Sequence, residues 1–338
     1  MTTALLRRSL IRTQVDFDRT GVQYGCLEVP YSQNRSAYGY IPIPIAVFNY
    51  GDGPSLLLTG GNHGDEYEGP VALTKLMHWL PGQRLRGRLI IIPALNLPAV
   101  LACSRSSPID GGNLNRLFPG KRDGSVTEMI AHYLESELFP LVDGAIDIHA
   151  GGSSFDHLPT LLTAPPPAAR AQSDYERLVR AFAAPNALAL DMLGEDRTYC
   201  AAATRAGIWF LGGEFGGGAR CDPDCLAIVE SGLRRVLHEL GVTPEDTPPA
   251  AVHESKRFVV QGRGHYLHTP EPGVFEPVFH LGDEVAQGQL AGRLHFPQAP
   301  WRAPIELRFE KEGRVMCART FARVEAGDCL AMLASQAS

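Results

Sequence analysis

Short apolar runs alternate with amphipathic segments over the first two thirds of the chain, and this alternation limits the possible folds more than any other feature. The amphipathic segments have helical periodicity and occupy Val71–Leu80, Thr127–Leu138 and Ser173–Ala183. The apolar runs have five to eight residues, a length typical of buried strands, and occupy Ile41–Phe48, Ser55–Thr59, Arg88–Ala94, Gly144–His149 and Ile208–Gly212. The alternation predicts an α/β fold, with a mixed or largely parallel sheet flanked by helices.

The last quarter of the chain has a different pattern, which begins after the Pro-rich polar stretch Gly241–Ser255. Helical patterns are few there, and Gly273–Gly292 resembles two strands joined by turns, with a Gly-Asp hairpin signal. We therefore predict an α/β domain over residues 1–245 and a small β-barrel or β-sandwich domain over residues 255–338. The Ala- and Pro-rich segment Ala164–Ala171 is predicted to be a surface loop.

The charge balance and the cysteines restrict the partners and the compartment. With 31 basic and 37 acidic residues the formal net charge is −6, so nucleic acid or an anionic membrane is not expected as the main partner. No apolar run reaches the roughly 18 residues of a membrane span, and Met1–Thr20 lacks the apolar stretch of a signal peptide. Seven dispersed cysteines are typical of reduced thiols, which favours a cytoplasmic protein.

The segment Gly60–Pro70, GGNHGDEYEGP, contains the strongest local signal for chemistry. His63 and Glu66 form an H-x-x-E pair directly after a predicted strand, so one turn can bring both side chains to a single ion. A catalytic zinc commonly takes three protein ligands and leaves one position for water. The alternative interpretation is a loop in which Asp65, Glu66 and Glu68 favour the start of a helix.

A third ligand is expected at the end of another strand, because reactive groups collect at the carboxyl ends of strands in α/β sheets. His149 occupies such an end, in the sequence Asp147-Ile148-His149. Asp147 is on the same face of the strand, so it is either an outer group that orients the ligand or a buried structural carboxylate. His63, Glu66 and His149 are therefore the predicted ligands of one zinc ion per chain.

Four motifs in this order resemble the succinylglutamate desuccinylase/aspartoacylase family, relatives of the zinc carboxypeptidases. They are His63-x-x-Glu66, the stretch Asn96–Gly120 that ends in NLNRLFPG, Asp147-x-His149, and Glu214 within GGEFGGG. The resemblance covers about residues 40–330. It implies a zinc-carboxypeptidase-like mixed sheet flanked by helices, with the small β domain leaning over the mouth of the active site.

The resemblance also implies roles for four further residues in the hydrolysis of an amide. Glu214 is the candidate for accepting the proton of the attacking water and returning it to the leaving amine; the alternative is a Gly-rich loop with an incidental glutamate. Arg105 is assigned to stabilising the oxyanion. Asn115 and Arg116 are assigned to a substrate carboxylate, for which a planar guanidinium has a suitable bidentate geometry. For Arg105 and Asn115, solvated loop and turn positions are the alternatives.

The enzyme that the resemblance implies is a zinc-dependent deacylase of small N-acyl amino acids. Within the family it looks like the branch that removes acetyl from N-acetyl-L-2,4-diaminobutyrate in ectoine degradation. An N-succinylglutamate desuccinylase or an aspartoacylase is the alternative; a carboxypeptidase or a non-catalytic zinc-binding protein is favoured less, since a binding module needs no base. A homodimer is the commonest state for such enzymes. A substrate ammonium would need an acidic partner, for which the candidates are Asp65, Glu68, Asp110 and Asp156.

Overall fold

The structure is a computed structural model that describes residues 9–163, 169–190, 195–251 and 254–337. Within these ranges the chain forms six α-helices: α1 (Glu68–Trp79), α2 (Leu97–Ala102), α3 (Val126–Tyr133), α4 (Ala169–Phe182), α5 (Tyr199–Ala206) and α6 (Pro223–Glu239). The same ranges contain eighteen strands: β1 (Arg12–Thr13), β2 (Gly21–Pro30), β3 (Tyr40–Asn49), β4 (Ser55–Gly60), β5 (Arg88–Ile92), β6 (Gly144–His149), β7 (Phe155–Leu162), β8 (Asn186–Leu190), β9 (Trp209–Gly217), β10 (Lys256–Val260), β11 (Tyr266–His268), β12 (Gly273–Pro277), β13 (Glu284–Val285), β14 (Leu290–His295), β15 (Ile305–Arg308), β16 (Gly313–Arg319), β17 (Arg323–Val324) and β18 (Cys329–Gln336). Short 3₁₀ turns lie at Leu80–Gly82, Leu114–Arg116, Phe139–Leu141 and Arg263–His265, and a π-helical turn, Leu134–Leu138, continues α3.

A mixed sheet forms the centre of the molecule, with the strand order β1-β2-β3-β5-β4-β6-β9-β7. Strands β5, β4, β6 and β9 are parallel neighbours, whereas β1 to β3 on one side and β7 on the other pair antiparallel. The predicted mixed α/β fold is therefore confirmed. None of the helices in the described ranges is long and apolar enough to cross a membrane.

Two apolar layers cover the two faces of this sheet. Along β4, Leu57 packs into the layer that contains α3 and α5, while Leu56 and Leu58 pack into the layer that contains α1, α4 and α6. All three leucines are fully buried, which explains why this strand reads as a continuous apolar run. Burial of each such side chain contributes about 1.5–3 kcal/mol, so the helices are held on both sides of the strands that carry the site.

Strand β9 is longer than predicted. The apolar run suggested a strand over Ile208–Gly212, but the strand continues to Gly217 because β6 and β7 hydrogen-bond to its two edges. Glu214 therefore lies inside a strand and not in a Gly-rich loop. The loop predicted over Ala164–Ala171 lies partly outside the described residues, and its last three residues belong to α4.

The small β region closes into a barrel. Strands β7, β8, β10, β18 and β16 pair in this order, and β16 returns to β7, where Cys317 is opposite His157. Two of these five strands precede the Pro-rich stretch. A separate sheet has the order β15-β14-β12-β17. The division into domains of residues 1–245 and 255–338 stays a prediction, and the β8–β10 ladder connects the two parts by hydrogen bonds.

Candidate active site

Strands β4, β6 and β9 end side by side and carry the site, and in their ladder His149 is opposite Glu214. The turn from β4 into α1 carries His63 and Glu66. This turn packs tightly on α2: a Cβ at Gly64 would lie 1.9 Å from a backbone carbon of that helix. Only glycine allows so close an approach, which explains a glycine next to the predicted ligand.

His63, Glu66 and His149, called the triad below, surround one point. Oε1 of Glu66 is 2.6 Å from Nδ1 of His63, and Oε2 of Glu66 is 2.8 Å from Nδ1 of His149. In the described part of the chain, the triad is the one group of three potential metal ligands whose donor atoms all lie within 4.8 Å of one another. The three residues are at most 6% exposed, so bulk water has little access to this point.

The outer nitrogen of each imidazole has its own acceptor. Nε2 of His63 is 3.1 Å from Oδ1 of Asn113, and Nε2 of His149 is 2.8 Å from Oδ2 of Asp147. These acceptors favour a proton on Nε2, so each imidazole in its neutral form directs an Nδ1 lone pair toward the carboxylate of Glu66. Two nitrogens and a carboxylate that converge in this way repel one another unless a proton or a metal ion lies among them, and they match the ligand set of a catalytic zinc site.

Asp147 is fully buried and has several hydrogen-bond partners. Thr59 Oγ1 donates to its Oδ1 at 2.7 Å, and Asn62 Nδ2 donates to its Oδ2 at 2.9 Å. These bonds offset the cost of burying the carboxylate. Burial would lower the pKa of His149, but Asp147 and Glu66 raise this pKa well above its usual value. The geometry of Asp147 is that of an outer group that orients His149.

Glu214 shares one face of β9 with Phe210 and Gly212, because alternate residues of a strand point the same way. The Phe210 ring lies across the glycine, since a Cβ at Gly212 would be 2.7 Å from a ring carbon. Burial raises the pKa of Glu214 to about 8, the carboxylate of Glu66 adds to this rise, and nearby basic groups oppose it. A cation among the triad ligands would also oppose it. A carboxyl group tuned in this way can exchange a proton near neutral pH.

Arg105 lies beside the triad. Its Nη1 is 3.4 Å from both Nδ1 of His63 and Oε1 of Glu66. The sequence offers little to fix the register of its loop, but the structure shows what does. The N–H of Gly64 donates to the carbonyl oxygen of Ser104 at 3.0 Å, which joins this loop to the turn that carries two triad residues.

Asn115 and Arg116 lie on the 3₁₀ turn Leu114–Arg116. Asn115 Oδ1 accepts the N–H of Tyr199 at 2.9 Å, and Nη1 of Arg116 donates to the carbonyl oxygen of Asn115 at 2.7 Å. The turn is thereby attached to the start of α5, and the guanidinium is held close to its own backbone.

These side chains line one pocket of about 160 Å³. Its polar half contains six of the seven residues predicted from the sequence: His63, Arg105, Asn115, Arg116, His149 and Glu214. Its uncharged half comes from the ends of β7 and β8, the start of α5, and β9: Leu162, Thr163, Leu190, Thr198, Cys200, Phe210, Gly212 and Gly213. The described lining contains no residue of 255–338, so the barrel reaches the pocket through β7 and β8.

Asn113 is the candidate that sequence reasoning missed. It lies two residues before Asn115, and its Oδ1 is within hydrogen-bond distance of both His63 Nε2 and the N–H of Asn115. The N-x-N spacing could have indicated it, since asparagine side chains often bond to backbone N–H groups two residues on. The uncharged half of the pocket has no comparable signal, because its residues come from four separate elements.

The four acidic residues considered for a substrate ammonium have other partners, and none lines the pocket. Asp65 accepts from the N–H of Ser153, Glu68 from the N–H of Asp222 and Asp110 from Thr127, while Asp156 pairs with Arg220. Their positions therefore do not support the predicted contact with an ammonium group.

The chain is similar in sequence to known enzymes. The family described as succinylglutamate desuccinylase/aspartoacylase catalytic domain matches residues 52–240, more than half of the chain. An N-alpha-acetyl-L-2,4-diaminobutyric acid deacetylase from Halomonas elongata is 40% identical over 330 residues, which cover 97% of this chain and 96% of that protein.

Solved structures show the same likeness in three dimensions. A succinylglutamate desuccinylase/aspartoacylase from Rhodobacter sphaeroides is 36% identical with a TM-score of 0.91, covering 98% of this chain and 100% of that chain. The product-bound ectoine utilization protein EutE (DoeB) from Ruegeria pomeroyi is 36% identical with a TM-score of 0.90, covering 97% of this chain and 99% of that chain. The likeness thus includes the barrel as well as the central sheet.

Proposed function

Because the chain belongs to the succinylglutamate desuccinylase/aspartoacylase family, we propose that it is a zinc-dependent deacetylase of N-acetyl-L-2,4-diaminobutyrate that acts in ectoine breakdown. The family predicted from four ordered motifs is confirmed, and with it the prediction of an enzyme. The observation that carries the proposal is one pocket lined by the triad histidines, Glu214 and Arg116, in a chain 40% identical to such a deacetylase.

The triad would hold the zinc ion through Nδ1 of each histidine and the carboxylate of Glu66. When bound, zinc supplies a Lewis acid that makes water more acidic and polarises a carbonyl group. Asn113 and Asp147 would keep the two imidazoles oriented. A zinc-carboxypeptidase-like catalytic fold is part of the proposal, and ligands at the carboxyl ends of the central parallel strands support it.

Amide hydrolysis needs a group that takes a proton from the attacking water and returns it to the leaving amine. Glu214 suits this task, because it lies opposite His149 in the sheet and its raised pKa lets it hold the proton between the two steps. Arg105 stabilises the negative charge that develops on the carbonyl oxygen. Support for this role is its permanent positive charge 3.4 Å from the triad carboxylate.

Arg116 and Asn115 bind the α-carboxylate of the amino-acid part of the substrate. The scissile amide then lies between this pair and the triad. In the described lining, the other half of the pocket has no basic residue that could pair with a second carboxylate. An unpaired buried carboxylate is costly, so this half of the pocket disfavours a succinyl group or an aspartate, each of which adds a carboxylate. The choice of diaminobutyrate rests on the deacetylase that is 40% identical to this chain.

Metal analysis together with a substrate panel tests the proposal. We expect about one zinc per chain after dialysis, loss of activity with a chelator, and recovery on zinc addition. Among N-acetyl-L-2,4-diaminobutyrate, N-succinyl-L-glutamate and N-acetyl-L-aspartate, we expect kcat/KM to be highest for the first by about a hundredfold or more. A preference for another member of the panel would show that the proposed substrate is wrong and would leave the family assignment unchanged. Full activity without metal would overturn the zinc mechanism.

A further inference from the structure

Arg116 is half-buried and has both basic and acidic neighbours. Burial and the neighbouring Arg105 lower its pKa, and Arg197 adds to this effect, whereas Glu195 and Glu214 raise it. Its ion-pair partner is Glu195, whose Oε2 is 3.7 Å from Nε of Arg116. The ion pair reaches the guanidinium at its Nε edge, beside the pocket that Arg116 lines.

Glu195 is itself held in one orientation by Arg197. Oε1 accepts from the backbone N–H of Arg197 at 3.0 Å and from its Nε at 2.9 Å, and Oε2 accepts from its Nη2 at 2.8 Å. This bidentate pair fixes the plane of the carboxylate. Because Arg197 lowers the pKa of Glu195 to about 2, the carboxylate is ionised at any working pH.

Residues 195–199 are joined to the turn that carries the guanidinium. The N–H of Tyr199 donates to Oδ1 of Asn115, and the N–H of Phe118 donates to the carbonyl oxygen of Arg197 at 3.2 Å. The Tyr199 ring also stacks on Phe118, with ring centroids 5.4 Å apart. These contacts keep the carboxylate and the guanidinium on two backbone segments with a fixed relative position.

The geometry points to Glu195 as a positioning residue that holds Arg116 by its Nε edge. Nη1 donates to the carbonyl oxygen of Asn115, and the remaining N–H groups of the guanidinium are available to the substrate carboxylate. The inference rests on the proposed function, since it assumes that Arg116 binds a carboxylate of the substrate. The negative charge of Glu195 by itself would repel that substrate group. A benefit from Glu195 must therefore come from the orientation that it gives to Arg116.

The sign of the change in KM separates orientation from charge. Glu195→Gln keeps the size of the side chain and removes its charge. If charge alone mattered, KM for N-acetyl-L-2,4-diaminobutyrate would fall, because one repulsion has been removed. If Glu195 orients Arg116, KM rises about fivefold, the largest effect expected for an ion pair of this exposure, while kcat and zinc content stay unchanged. A fall in KM, or no change, overturns the inference.

Glu271→Gln is the matched control. Glu271 pairs with Arg302, and their side chains are 34% and 45% exposed, comparable with 21% and 41% for Glu195 and Arg116. Neither Glu271 nor Arg302 lines the pocket. The control should leave KM unchanged. Thermal unfolding of both variants shows whether either substitution has disturbed the fold.

Two further measurements separate the inference from the proposed function. Arg116→Gln should raise KM roughly a hundredfold through lost charge-assisted hydrogen bonds, and adding Glu195→Gln should then cause no further rise in KM. No response to Arg116→Gln would contradict the proposed role of Arg116 itself. A response to Arg116→Gln without one to Glu195→Gln would overturn only the positioning role.

The second measurement uses N-acetyl-L-2-aminobutyrate, which has the same carbon chain but no ammonium group. Glu195→Gln should raise its KM by the same factor. An increase confined to the cationic substrate would make Glu195 the partner of the ammonium, and the positioning role would be wrong.

Discussion

The two ends of the pocket hold their side chains in different ways. At the metal end, formed by the triad, the residues are at most 6% exposed, and each imidazole lies between Glu66 and an outer acceptor. At the anion end, formed by Asn115 and Arg116, the Arg116 side chain is 41% exposed and its ion pair is 3.7 Å long. Strand ends and a tight turn carry the residues of the metal end, whereas a short 3₁₀ turn carries those of the anion end.

This difference corresponds to what each end is proposed to bind. A metal ion requires donor positions defined to within about 0.2 Å, which buried and doubly anchored imidazoles can supply. A substrate carboxylate arrives and leaves in every turnover, and an exposed guanidinium can adjust to it. Substitutions at the metal end should therefore change metal affinity, while those at the anion end should change KM and leave the metal in place.

The largest effect is expected at Glu214, which lines the same pocket as residues of both ends. Glu214→Gln removes the proposed proton shuttle, so kcat should fall about a thousandfold, within the range of general acid–base catalysis. Zinc content and KM should change little, because neither end has been altered. Steady-state kinetics with metal analysis measures both. Glu276→Gln, an exposed strand glutamate paired with His295, is the control. A kcat within tenfold of the unaltered enzyme would remove Glu214 from the mechanism.

A smaller effect is expected from Asp147→Asn at the metal end. His149 would lose the carboxylate that orients it, so zinc affinity should fall about 10- to 100-fold. Competition with a chromophoric chelator measures this affinity. Excess zinc should restore most of kcat, and KM at saturating zinc should be unchanged. Unaltered affinity would show that Asp147 has only the structural role considered as its alternative.

The sequence predicted the metal end more completely than the anion end, for a physical reason. His63 and Glu66 are three residues apart, and His149 ends a strand, so a local motif and the geometry of α/β sheets are sufficient to bring them together. At the anion end, Tyr199 and Glu195 are about 80 positions from the residues that they contact. Neither periodicity nor spacing indicates such contacts.

The fold shows the same difference between features that local sequence predicts and features that depend on long-range contacts. The central strands were predicted because helices cover both faces, which leaves continuous apolar runs. Strands β7 and β8 were missed: β7, FDHLPTLL, mixes polar residues and a proline, and five of its eight residues in succession are only half-buried. The barrel closes where β7 pairs with β16, whose residues are more than 100 positions away, as between His157 and Cys317.

At the anion end, Arg116→Lys should raise KM about tenfold. Lysine keeps the charge but lacks the planar fork that matches a carboxylate at two points. Zinc content should be unchanged, in contrast to Asp147→Asn. The comparison substrate is an analogue with a carboxamide in place of the α-carboxylate, for which the substitution should have little effect. An equal rise in KM for that analogue would mean that Arg116 does not bind the carboxylate.

The smallest effect is expected at Asn113, a residue that contacts both the metal end and the anion end. Its Oδ1 lies 3.1 Å from Nε2 of His63 at the metal end and 3.1 Å from the N–H of Asn115 at the anion end. Asn113→Ala removes both contacts, and each neutral hydrogen bond contributes about 0.5–1.5 kcal/mol. Zinc affinity should therefore fall and KM should rise, each by roughly three- to tenfold.

Chelator competition and steady-state kinetics on the same preparation test this expectation. Asn186→Ala provides a control: Asn186 Nδ2 donates to the carbonyl oxygen of Pro159 at 2.9 Å and neither residue lines the pocket, so the substitution should change neither quantity. If Asn113→Ala altered only zinc affinity, the anion end would be positioned without the help of the metal end. If both quantities change, one amide oxygen couples the ligand geometry of the metal to the carboxylate grip on the substrate.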